Sequence, residues 1–208
     1  MRKLYFFLPA VLFVCLSSNS QSPVYKITHS YFRSDPFETT FSAFVSHLLN
    51  DPALTDKVLE KKTDTSLFLF RAYYKNYNPF FFKPKKVEVV LTETPVSLDS
   101  LNADTIYTYQ LRAFTNDTKE GAAELKKEFE KIYRRHKGSF NKTSYTESQP
   151  GSRLPSATYN FFDPLHGVAP FAVTWAGPNA DKEMCLIITI RLSTHGNKAI
   201  LPIPFYAL

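Results

Sequence analysis

Apolar positions along this chain follow two different periods, and the change from one to the other separates helices from strands. From Asp35 onward, Phe37, Phe41, Phe44, Val45, Leu48 and Leu49 recur at intervals of three and four, which aligns them on one face of a helix. Asp35 can accept from the free N–H groups of a first turn, Pro36 suits the first helical position, where no N–H is needed, and Glu38 completes a capping-box pattern. A helix is therefore predicted over residues 35–50. Asp51 and Pro52 break it and supply the cap for a shorter helix through Leu59, followed by a polar turn at residues 61–64. The period then shortens. Residues 67–74 form an apolar and aromatic run of strand length, residues 86–94 alternate Val87, Val89 and Leu91 against Glu88, Val90 and Thr92, and residues 105–114 alternate again.

A second helix is marked by Asp117 and Glu120, spaced as cap and third residue, by the stripe Ala122, Leu125, Phe129, Ile132 and Tyr133, and by Gly138 as its stop. Arg134, Arg135 and Lys137 crowd its last turn, where cations offset the negative end of the helix dipole, so this cluster has a sufficient local explanation. Strands are predicted at 140–147 and 157–162, with the polar stretch 141–155 read as a long hairpin or a mobile loop, and again at 171–175, 183–193 and 198–206. His195, Gly196 and Asn197 make the turn between the last two. Residues 21–34 are polar and lack a period, which reads as an extended lead-in with a short strand at 24–28.

This order implies an α+β fold: a largely antiparallel sheet with two amphipathic helices packed on one face, in a single domain over residues 35–208. Strict alternation of strand and helix is missing, which argues against a doubly wound parallel sheet. Residues 35–115 and 117–206 both run from helix to strands, an order that suggests two similar halves without a residue-level repeat.

The N-terminus bears on where the protein works. Arg2 and Lys3 precede an apolar run over residues 4–16 and a small polar segment over 17–22, the layout of a secretory signal peptide. The run is shorter than the about 20 residues a spanning helix needs. Ser18 and Ser20 suit signal peptidase, so residues 1–20 are expected to leave and Gln21 to become the first residue, placing the protein in the periplasm or outside the cell. The alternative is lipidation of Cys15, which would tether the chain to a membrane as a lipoprotein; Leu12 suits this and Val14 does not.

Loss of the signal removes one of the two cysteines and leaves Cys185, inside the apolar run 184–190, as a small buried hydrophobe with no disulfide partner. The net charge of +6 drops by two with Arg2 and Lys3. A mildly basic chain permits an anionic partner, but it carries no nucleic-acid module and no polybasic tract, so nucleic acid is not expected. No HExxH, CxxC, acidic calcium loop, GxGxxG or P-loop is present, and the histidines do not group at ligand spacing, so neither metal nor cofactor is expected. Asn116 and Asn141 lie in NxT sequons, which matter only where the source glycosylates.

Two stretches carry candidate chemistry. Residues 73–86, YYKNYNPFFFKPKK, gather six aromatics around a turn at Asn78 and Pro79 and end in three lysines. With Tyr77, Phe80, Phe81, Phe82, Lys83, Lys85 and Lys86 exposed, this hairpin would bind a protein, a glycan or an anionic surface. Alternatively the rings fold under it and the lysines solvate an edge. Residues 161–170 set Asp163 three positions before His166 in a Pro- and Gly-rich turn, the minimum of a general-base pair and also ordinary turn chemistry.

Three functions are compatible with these features: an exported noncatalytic binding or accessory domain acting through the hairpin, a small secreted hydrolase using Asp163 and His166, and a structural component of a cell-envelope assembly. Exposure discriminates between the first two. Solvent-facing rings at 80–82 support binding, and a concave pocket around His166 supports catalysis.

Overall fold

The computed structural model describes residues 22–37, 39–94, 105–162, 169–194 and 200–202. Its first element is a helix where an extended lead-in was expected. Ser22 Oγ accepts from Val24 N–H at 3.4 Å and Pro23 occupies the first turn of α1 (Pro23–Tyr31). Val24, Ile27, Thr28 and Tyr31 form its buried stripe. The spacing is helical, but the four positions are diluted by Lys26, His29 and Ser30, so no period stood out.

The next helix begins later than its sequence pattern implied. Asp35 closes a local turn by accepting from Phe37 N–H at 2.9 Å, and Thr40 is the cap, accepting from Ala43 N–H at 3.2 Å at the start of α2 (Phe41–Asn50). Residues 51–59 are also corrected. Asp51 Oδ1 accepts from Ala53 N–H at 2.8 Å, and the chain then enters strand β1 (Leu54–Glu60) instead of a helix, held by its ladder to β2 (Leu69–Tyr74). A non-local partner outweighs the local helix signal of Asp51 and Pro52.

From here the expected elements follow closely: β3 (Lys86–Thr94), β4 (Thr105–Asn116), α3 (Lys119–His136), β5 (Lys142–Glu147), β6 (Ser156–Phe162), β7 (Phe171–Ala176), β8 (Glu183–Thr194) and β9 (Ile200–Pro202). Thr118, not Asp117, caps α3 by accepting from Gly121 N–H at 3.0 Å, and residues Lys137–Ser139 tighten into a 3-10 turn before Gly138 can act as a simple stop.

Eight strands lie in the order β1-β2-β3-β4-β8-β7-β6-β5, all neighbours antiparallel, with β9 against the C-terminal end of β8. Each half is a four-strand meander, and the two join where β4 runs beside β8 from Thr105 opposite Thr194 to Asn116 opposite Glu183. The strand order is symmetric about the β4–β8 seam, and α2 and α3, which precede the two meanders, pack on the same face.

That face holds the core. Tyr109, Leu111 and Ala113 of β4 share it with Leu186, Ile188 and Ile190 of β8 and Val87, Val89 and Leu91 of β3, all buried. Phe41 stacks on Tyr107 at 3.9 Å, Phe44 meets Tyr109 edge-on at 5.3 Å, and Tyr133 of α3 stacks on Tyr159 at 4.0 Å. Such aromatics each bury 150–250 Å² or so. Large ring area thereby compensates for a thin two-layer architecture.

Candidate functional site

The connection between β2 and β3 is built around one asparagine. Asn78 Oδ1 accepts from Phe80 N–H at 2.9 Å while its Nδ2 donates to Phe82 carbonyl, also at 2.9 Å. This double clasp fixes the alternation of the three phenylalanines that follow. Phe80 and Phe82 turn inward and are 7% and 6% exposed, whereas Phe81 points out at 69%. Of the two readings of this hairpin, the one with rings folded under it holds for Phe80 and Phe82, which pack on one another, Phe80 also on Tyr31, while exposure holds for Phe81 alone of the three. Tyr77 is half-buried and donates to the Tyr31 carbonyl at 2.9 Å, tying the connection to α1.

A shallow cradle of about 410 Å³ opens beside this connection, lined by Lys75, Lys83, Lys85 and Lys86 together with Asn76, Tyr77 and Asn78. No carboxylate is among its lining residues. Lys85 and Lys86 reach behind it to buried Glu183 at the start of β8, at 2.9 and 2.8 Å. Hydrogen bonds from Lys86 and then Lys85 hold the Glu183 carboxyl below its ordinary pKa, and the same contact raises that of Lys86. Lys86 also lies over the Phe114 ring, 4.7 Å from its centroid. Both lysines are therefore positioned, while Lys75 and Lys83 have no ion pair among the described residues. Oriented ammonium groups beside free ones and two side-chain amides can hold an anion by charge and by hydrogen bonding.

Phe81 marks the other side of the connection. Lys131 and Arg135 of α3 lie over its ring, and a smaller groove of about 250 Å³ runs between it and Glu124, Lys127 and Glu128. Burial raises the Glu128 carboxyl above its ordinary pKa. Glu130, on the same helix, accepts from Tyr159 hydroxyl at 3.1 Å. Charges of both signs therefore face this groove, Glu124 and Glu128 beside Lys127 and Lys131.

The sheet face away from the helices holds a polar network that sequence reasoning missed. Arg112 donates to Gln110 Oε1 at 2.9 and 2.6 Å and to Glu88 Oε2 at 3.4 Å; Arg71 stands 3.9 Å from the other Glu88 oxygen. Glu88 is buried between the two guanidiniums, a structural pairing that leaves no free acid or base. Its signal was the polar half of the alternation in 86–94 and 105–114. Cys185 shares this face, buried, with its thiol pushed up to about 12, chiefly by burial, which makes it an inert hydrophobe.

Asp163 and His166 lie outside the described residues, as do residues 1–20 with Cys15 and the turn at 195–197. Among the described residues, no group of three or more His, Cys, Asp or Glu could hold a metal, and no helix is long and apolar enough to cross a membrane. Comparison with protein-family models, with curated proteins and with solved structures gave no match.

Proposed function

We propose that this chain is an exported, noncatalytic binding domain that captures an anionic partner in the cradle between β2 and β3. One observation carries the reading: four lysines and two asparagine amides line a single depression without a carboxylate among them. Burial of Glu183 behind Lys85 and Lys86 supports it, because the acid orients two ammonium groups from below and leaves the open side cationic. Export rests on the pattern of residues 1–20. Partners within this reading are an acidic protein, an acidic glycan or an anionic surface.

The test is the double variant Lys75→Glu, Lys83→Glu. Both side chains are exposed and free of ion pairs among the described residues, so stability should change by no more than about 0.5 kcal/mol. Retention on an immobilised sulfated polysaccharide should end at a clearly lower salt concentration than for the wild type. Equal retention with an intact fold removes the cradle as the site.

A further inference from the structure

β1 and β5 close the two ends of the sheet, and they differ in the devices that keep an edge from pairing. β1 is interrupted. Its ladder to β2 shifts between Thr55 and Val58, Asp56 takes a left-handed φ of 50°, and Lys57 Nζ folds back to donate to the Leu49 and Asp51 carbonyls at 2.6 and 2.7 Å. A bulge with charged residues is a common protection of an edge. β5 is regular: its ladder to β6 runs without a shift from Lys142 opposite Phe162 to Glu147 opposite Ala157, and it contains no proline.

The bonding pattern fixes which groups face outward. Ser148 N–H donates to Ser156 carbonyl at 2.8 Å, so the even positions 142, 144 and 146 bond inward to β6. The N–H and C=O groups of Thr143, Tyr145 and Glu147 therefore point away from the sheet, and no strand pairs with them among the described residues. A second observation marks the same edge. Tyr133 stacks on Tyr159 at 4.0 Å and Tyr159 meets Tyr145 at 5.0 Å, so a row of rings crosses from α3 to the edge and ends at Tyr145, 49% exposed.

We propose that β5 pairs antiparallel with β5 of a second copy of this chain about a two-fold axis through Tyr145, making one continuous sheet across a dimer. This register bonds all three outward positions, placing Tyr145 opposite the partner's Tyr145 and Thr143 opposite the partner's Glu147. It continues the row of rings into the second copy and sets no like charges opposite one another, since Lys142 meets the partner's Ser148. Sliding until Glu147 meets the partner's Glu147 would oppose two carboxylates. The arrangement is independent of the cradle, which borders β2 and β3.

Sedimentation of the signal-free chain from low to several hundred micromolar tests it. The wild type should form a dimer. Thr143→Pro, which removes an outward N–H and none bonded to β6, should weaken association at least tenfold with an unchanged far-ultraviolet spectrum. A wild type that stays monomeric, a dimer that survives the proline, or an edge occupied by a co-purifying peptide overturns the proposal. Should the proline unfold the chain, Tyr145→Cys decides: mild oxidation should give a crosslinked dimer that Lys142→Cys does not, and equal or absent crosslinking overturns it.

Discussion

The half from α2 to β4 and the half from α3 to β8 share a plan and differ in how their sheets are covered. α3 has 18 residues and lays Leu125, Phe129 and Ile132 along its own meander. α2 has only 10, with Phe44, Val45 and Leu48 buried. The remaining area is filled by α1, which has no counterpart among the described residues of the second half. It lies between the other two helices, where Phe32 packs on Tyr109 at 4.3 Å and Tyr31 touches both Phe80 and His136. A repeated plan therefore need not be covered symmetrically: a short helix in one copy leaves room for a segment the plan does not contain.

Truncating that segment should have the largest effect. Tyr31→Ala and Phe161→Ala remove fully buried rings from the two halves, and each should lower the unfolding free energy by about 3–5 kcal/mol in urea. A loss below about 1 kcal/mol at Tyr31, beside a full loss at Phe161, would make α1 peripheral and break the comparison.

Acid should sharpen it next, because His136 joins α1 to α3. Burial first, and Arg135 second, lower its pKa from 6.5 to about 4. A base whose folded pKa is depressed stabilises the fold fully above its free pKa and loses that contribution as pH falls from about 6.5 toward 4. Between pH 7 and pH 4.5 the wild type should lose roughly 2–3 kcal/mol more than His136→Gln. Parallel curves for the two proteins would show that the imidazole titrates normally. The smallest effect concerns the matched caps. Thr40→Ala and Thr118→Ala should each cost about 1 kcal/mol, read as similar drops in melting temperature. A cost at one position alone would show that the caps are equivalent in place but not in energy.

The strands β3 and β4 were legible because one of their faces is core and the alternation shows it. β1 was not, because Asp51 and Pro52 mimic a helix start and only the ladder to β2 decides otherwise. α1 hid behind Lys26, His29 and Ser30. At the candidate site, Lys83, Lys85, Lys86 and Tyr77 could be read from the chain, whereas Lys75 and Asn76 join them only through the fold, and three consecutive phenylalanines give no period. The two hydrogen bonds of Asn78 determine that Phe81 alone faces solvent. The network of Arg112, Gln110 and Glu88 was spread over two strands and carried no local motif.

The seam between β4 and β8 also sets a timetable. β4 is complete at Asn116, yet its far side is matched only by residues from Glu183 onward. While a ribosome is still adding residues, the first meander ends in a 12-residue strand whose outward carbonyls and amides have nothing to bond. The halves close on one another only when synthesis has almost reached the last strand. Until then that strand edge is left without its neighbour, and a pairing between residues so far apart in the chain is slow to form and exposed to misassembly.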